Sequence, residues 1–107
     1  MVTLFMSSVL VLAAAQNAAV NSARDGLRNC FKEAITQAKT DKVAKDAFQP
    51  FARTRCAAQA SKFTDAVWAF DAKNKLSKKT SNADAELQIE DFRVMADEKF
   101  QREDTAQ

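Results

Sequence analysis

Few side chains in this sequence have chemistry to offer. Cys30 and Cys56 are its only thiols, and there is no histidine or tyrosine at all. Without histidine there is no imidazole general base, no Ser-His-Asp or Cys-His nucleophile and no imidazole metal ligand. The Glu-x-x-His pair of two-metal helical bundles is also missing. Two cysteines cannot complete a zinc site, and no Cys-x-x-Cys or glycine-rich phosphate loop occurs. The reading is a protein that is not an enzyme and carries no cofactor or metal.

Two groups of side chains can still bind. Glu86, Glu90, Asp91 and Asp97 crowd one stretch. A calcium loop also needs carbonyl ligands and a sharp glycine turn, so these acids read as a solvated helix face. Lys73, Lys75, Lys78 and Lys79 form the densest basic cluster, and Trp68 lies close by in sequence. Tryptophan is enriched at binding hot spots. Trp68 with these four lysines is the candidate partner surface. No aromatics interleave with the lysines as base-stacking platforms, so nucleic acid is not the expected partner.

The thiols are best suited to each other. Each lies thirteen positions from Val43, in the middle of the polar connection from Thr40 to Lys45. The arms of an antiparallel helical hairpin rise equally, so residues equidistant from the turn end up level. The same register pairs Ala34 with Ala52, Ile35 with Phe51, Ala38 with Phe48 and Ala23 with Phe63, all apolar. Closing a loop of this length stabilises a fold by roughly 3–3.5 kcal/mol in the chain-entropy model. An intramolecular Cys30–Cys56 disulfide is the expectation.

Three helices are needed to hold these groups. Glycine and proline occur once each, and runs of β-branched residues are lacking, so the chain reads as all-α. The first helix is expected over about residues 22–40, capped by Asn21 or Ser22 after a loose lead-in from Gln16 to Val20. Its apolar stripe is Leu27, Cys30, Phe31, Ala34, Ile35 and Ala38. The second spans about 46–73, opened by Asp46 and Gln49 at capping-box spacing. Its stripe is Phe48, Ala52, Cys56, Ala60, Phe63, Val67 and Phe70. The third covers about 80–101 from a Thr80 or Ser81 cap, with Ala85, Ile89, Phe92, Ala96 and Phe100 facing inward and Met95 beside them. Leu87 and Val94 fall off that stripe, with no place assigned. The architecture expected is a disulfide-linked antiparallel helical hairpin extended to a three-helix up-down-up bundle.

The first fifteen residues read differently. Val2 to Ala15 is an uncharged apolar run ending in Ala13-Ala14-Ala15. It is too short for the roughly twenty residues of a membrane span. It fits a secretory signal peptide cleaved between Ala15 and Gln16, although its start has no Lys or Arg. Residues 1–15 are thus expected to be a signal and 16–107 a single small helical domain, periplasmic or secreted. That compartment is oxidising, which suits the cysteine pair.

Charge is divided along the chain. From Thr80 onward there are eight acids and three bases, a net of −5, and the remainder carries a net of +7. The functional expectation is a small exported, non-enzymatic helical protein that binds another macromolecule of the bacterial envelope. Its partner is an unidentified protein or envelope component, with no stable membrane span, and the protein is a monomer or homodimer. The alternative is a periplasmic chaperone-like or stress protein with an exposed apolar groove.

Overall fold

A computed structural model describes the backbone of residues 2–105 and the side chains of residues 18–103. Four helices, α1 (Val2–Thr40), α2 (Phe48–Arg55), α3 (Ala57–Lys73) and α4 (Lys78–Thr105), follow one another, with a 3-10 turn over Lys45–Ala47. Every regular element among the described residues is helical.

Helix α1 does not begin at a cap near residue 21. Its backbone is already helical at Val2 and continues unbroken through the expected lead-in. No glycine or proline occurs before Gly26, and the intervening alanines are strong helix formers, so nothing stops the helix. Asn21 accepts a hydrogen bond from the Arg24 guanidinium (2.8 Å) instead of capping. Val20 packs against the core. The side chains of residues 1–15, the segment expected to be a signal, lie outside the described residues.

Helices α1 and α3 end at Thr40 and Lys73, where the lysine-rich connections were expected. Both end in the same way. The Val43 N–H reaches the Ala38 carbonyl and the Lys42 N–H that of Lys39. At the second end Leu76 bonds to Asp71 and Lys75 to Ala72. These are the paired bonds of a Schellman motif. The left-handed residue is a lysine in each, Lys42 at φ 56° and Lys75 at φ 61°.

The second helix is not continuous. It breaks at Cys56, whose φ of −103° and ψ of 15° are not helical. Hydrogen bonding runs on through the break, from the Cys56 N–H to Ala52 and from the Ala60 N–H to Cys56. At Cys56 the chain packs against α1, with 5.8 Å between the Cα atoms of Cys30 and Cys56. Cα atoms stand about 2.3 Å from the axis of their own helix, so this separation is the one expected of helices packed with axes about 8–10 Å apart. The capping box of Asp46 and Gln49 does not form, and no side chain caps α2. The Gln49 amide donates instead to Asp97 of α4 (2.9 Å), a tertiary bond that outcompetes the local one. The cap of α4 is Ser77, whose hydroxyl accepts from the Thr80 N–H at 3.1 Å. Ser81 continues the inward stripe and is buried.

The core follows the stripes closely. Leu27, Phe31, Ala34, Ile35 and Ala38 of α1 meet Phe48, Ala52 and Cys56 of α2 and Phe63 and Val67 of α3. Helix α4 contributes Ala85, Ala96 and Phe100, with Ile89 and Phe92 partly buried against them. Met95 does not join them and is 63% exposed. Leu87 and Val94 are exposed as well.

Helices α1 and α4 lie side by side in a constant register. Arg24 donates to Gln88 (3.2 Å), Arg28 sits over the Phe92 ring (5.2 Å) and Lys39 pairs with Glu103. Each partner lies 64 positions further along the chain. Constant spacing in the same direction means that the two helices run parallel.

Candidate binding surfaces

The groups singled out in the sequence occupy two places. Cys30 and Cys56 stand at disulfide distance in the middle of the hairpin, Cys56 fully buried and Cys30 half-buried. Trp68 is half-buried on α3, with the Lys78 ammonium 6.0 Å from its ring centroid. That contact ties the start of α4 to the end of α3, and exposed cation–π pairs are worth about 0.5–1 kcal/mol. Lys73, Lys75 and Lys79 are exposed around the same turn. None of these lysines lines either of the two clefts described below.

The acids of α4 do not converge. Glu90 pairs with Arg93 at 2.6 Å. Asp97 accepts from Gln49 and from Gln101, both at 2.9 Å, and Gln101 also reaches the Lys45 carbonyl. No three metal-ligating side chains gather among the described residues.

A concavity appears where no local motif pointed. Along the parallel seam of α1 and α4 runs an open groove of about 670 Å³. Its floor is apolar: Phe31, Ile35 and Ala96 are buried beneath Phe92 and the protruding Met95. Arg28 and Lys32 stand on the α1 rim and Lys99 and Arg102 on the α4 rim, all exposed, against the single acid Asp25. Each wall extends over eleven residues, 25–35 and 92–102, about three helical turns. An open trough of that length suits a helix better than a small molecule, which needs most of its surface enclosed.

The groove was hidden because its parts lie 64 residues apart. Arg28 and Lys32 fall outside the apolar stripe of α1, and Lys99 and Arg102 are two of three bases among eight acids from Thr80 onward. Folding both helices parallel is what collects four cations around one apolar floor.

Beyond the groove, Glu103 sits at the end of the same seam. Its carboxyl is held below the usual glutamate range, first by the hydrogen bond from Lys39, then by the charges of Lys39, Lys99 and Arg102, with burial opposing them. A second, more polar cleft of about 510 Å³ lies between α3 and α4. Arg93 is buried in its wall, held to Glu90 through one terminal nitrogen while its Nε has no partner. Arg53 marks one end of this cleft, and Asp65 and Glu86 mark the other. Acids and bases of both signs line it, so it favours no one charge.

No helix among the described residues is long and apolar enough to cross a membrane. No protein-family model, curated protein or solved structure matches this chain.

Proposed function

We propose that this chain is a small exported, non-enzymatic helical protein of the bacterial envelope that acts by binding another macromolecule in the α1–α4 groove. In this reading residues 1–15 are its export signal. The remainder is an up-down-up helical bundle stapled by a Cys30–Cys56 disulfide formed in the periplasm. The observation that carries the reading is the cationic rim around an apolar floor, with Met95 left 63% exposed. A large apolar side chain ringed by like charges needs a partner that supplies both apolar surface and negative charge.

The chaperone-like reading draws on the same Met95. Methionine adapts to many apolar partners, as a holder of unfolded chains requires. The four-to-one excess of bases on the rim favours a partner of defined charge over a promiscuous one.

The test is capture from an envelope extract with the mature protein as bait, alongside Lys32→Glu combined with Lys99→Glu. A partner retained by the wild type and lost by the double variant is the expected result. Intact mass of the protein recovered from its host tests the export step, and a species still beginning at Met1 would refute it.

A further inference from the structure

We propose that the α1–α4 groove takes an amphipathic helix of another protein, one whose apolar stripe carries acids on both flanks. The inference rests on the groove being a macromolecule-binding site and names the chemistry of its occupant.

The cations are spread along the groove and not gathered at one end. Level positions on its two walls differ by 64 in the sequence, as the Arg28–Phe92 and Lys39–Glu103 contacts show. Arg28 is therefore level with Phe92, and Lys32 with Ala96. Lys99 and Arg102 follow on α4. Taken in that order, the four stand four, three and three positions apart, or about 4.5–6 Å per step and about 15 Å in all. Each step is close to one turn of a helix. The first two cations lie on the α1 rim and the last two on the α4 rim. Asp25, the one acid of the lining, is level with Ile89 and stands before the first of them. Among the described residues no carboxylate forms an ion pair with any of the four.

A helix laid along the groove repeats on the same pitch. Its residues three or four apart share a face. Two acids one turn apart on one flank meet Arg28 and Lys32. Two more on the opposite flank, about two turns further on, meet Lys99 and Arg102. The stripe between the flanks is left to cover Phe92 and Met95 with apolar side chains. The charge pattern is nearly the same read from either end, so it does not depend on the direction in which the helix lies. Acids matched to all four cations also relieve the repulsion among charges that lie within a Debye length of their neighbours.

A lipid and a membrane fit this distribution less well. A lipid concentrates its charge in a headgroup at one end, and its chains would lie against the remaining cations. A flat anionic surface meets the rims and Met95 but leaves the trough between them unfilled.

The experiment is calorimetric titration of the protein recovered from its host with synthetic peptides. The probe is a peptide of about four helical turns, with glutamates on both flanks of a leucine stripe. Two controls keep its length. One has lysine for every glutamate, and the other has a central proline that breaks the helix. The acidic peptide should bind at least about tenfold more tightly than either control. Lys32→Glu on one rim and Lys99→Glu on the other should each weaken it at least about fivefold, and the two together about multiplicatively. Met95→Gln should weaken it as well, whereas Lys62→Glu on exposed α3 should change it less than about twofold. Circular dichroism verifies the helical content of each variant. No binding of the acidic peptide at about millimolar concentration, equal binding of either control, or indifference to a rim substitution overturns the proposal. So does sedimentation with vesicles of phosphatidylglycerol and phosphatidylcholine in place of peptide binding, which assigns the groove to lipid. If no peptide binds, yet Lys32→Glu with Lys99→Glu still abolishes capture of an envelope partner, the functional reading survives and the helical occupant does not. If the peptides behave as expected while that double variant still captures its partner, the groove takes acidic helices and the functional reading, which seats that partner in it, fails.

Discussion

Phe48 and Phe100 stack face to face, with ring centroids 4.5 Å apart and planes 11° from parallel. Both are fully buried, one on the first residue of α2 and the other near the end of α4. The pair closes the end of the molecule where the connection after α1 meets the last turns of α4. Phe100→Ala should cost about 3–5 kcal/mol, much of the margin of a domain this small. Phe100→Leu should cost far less, because apolar volume is kept and only the aromatic pairing is lost. Urea unfolding of the three proteins decides it, and equal losses for both variants would refute the role of the cavity.

Cys30 and Cys56 stand at disulfide distance, 26 positions apart in the chain, and replacing both with alanine would remove the cross-link proposed between them. The expected loss is about 3 kcal/mol, or roughly ten degrees or more in melting temperature. Helical circular dichroism at low temperature should be largely retained, since Leu27, Phe31 and Phe63 still have a core to bury. Thiol counting under denaturing, non-reducing conditions tests the bond itself, and two free thiols per chain would disprove it.

Lys42 holds a left-handed conformation that costs about 1 kcal/mol for a residue with a side chain. Lys42→Gly should therefore raise the urea midpoint, by the equivalent of about 0.5–1 kcal/mol, with the slope unchanged. A lower midpoint would mean that the lysine side chain compensates for the strain.

Gly26 is the other glycine-sensitive site, and here the replacement runs in the opposite direction. It lies inside α1, and an added Cβ would meet only the Gln59 Oε1 at 3.3 Å. That oxygen ends a flexible side chain and can give way. Gly26→Ala should stabilise the protein by up to about 1 kcal/mol through helix propensity. A destabilised variant would show instead that Gln59 is held in place.

The Lys39–Glu103 pair predicts a pH dependence. The Glu103 carboxyl is lowered in the folded state, chiefly by its hydrogen bond from Lys39. Its contribution is therefore present above the ordinary glutamate pKa and disappears as pH falls through the folded value. The melting temperatures of wild type and Glu103→Gln should differ near neutral pH and converge once the pH has fallen below the lowered folded value. The difference should be small, because the pair is solvent-accessible. A gap that widens in acid would contradict the sign.

How far the sequence could be read depended on the range of each interaction. The level placement of Cys30 and Cys56 was legible because helical rise is constant and the polar connection has an obvious middle. The ends at Thr40 and Lys73 were legible from the same composition shift. The beginnings were not. Asn21, Asp46 and Ser81 all have cap-forming side chains, yet Asn21 accepts from Arg24, no side chain caps α2, and Ser81 is buried. In each case competition with the surroundings decided the outcome, and periodicity carries no trace of it. The break at Cys56 was not legible either, since the apolar stripe from Phe48 to Phe70 runs through it without interruption. The groove was furthest from view, because its two walls meet only after the chain has turned twice.

The 64-residue spacing of α1 and α4 also bears on the order of folding. Contacts between Cys30 and Cys56 enclose a loop less than half as long, and loop closure grows costlier with length. A chain made from its first residue onward completes α1, its turn and the second cysteine before any residue of α4 exists. The hairpin can thus form, and its thiols can meet, on a nascent chain. The apolar seam of α1 then waits, uncovered, for the last quarter of the chain to be delivered. The slow, rate-setting event should be the arrival of α4, and substitutions at Phe92, Ala96 and Phe100 should speed unfolding more than they slow the formation of the hairpin.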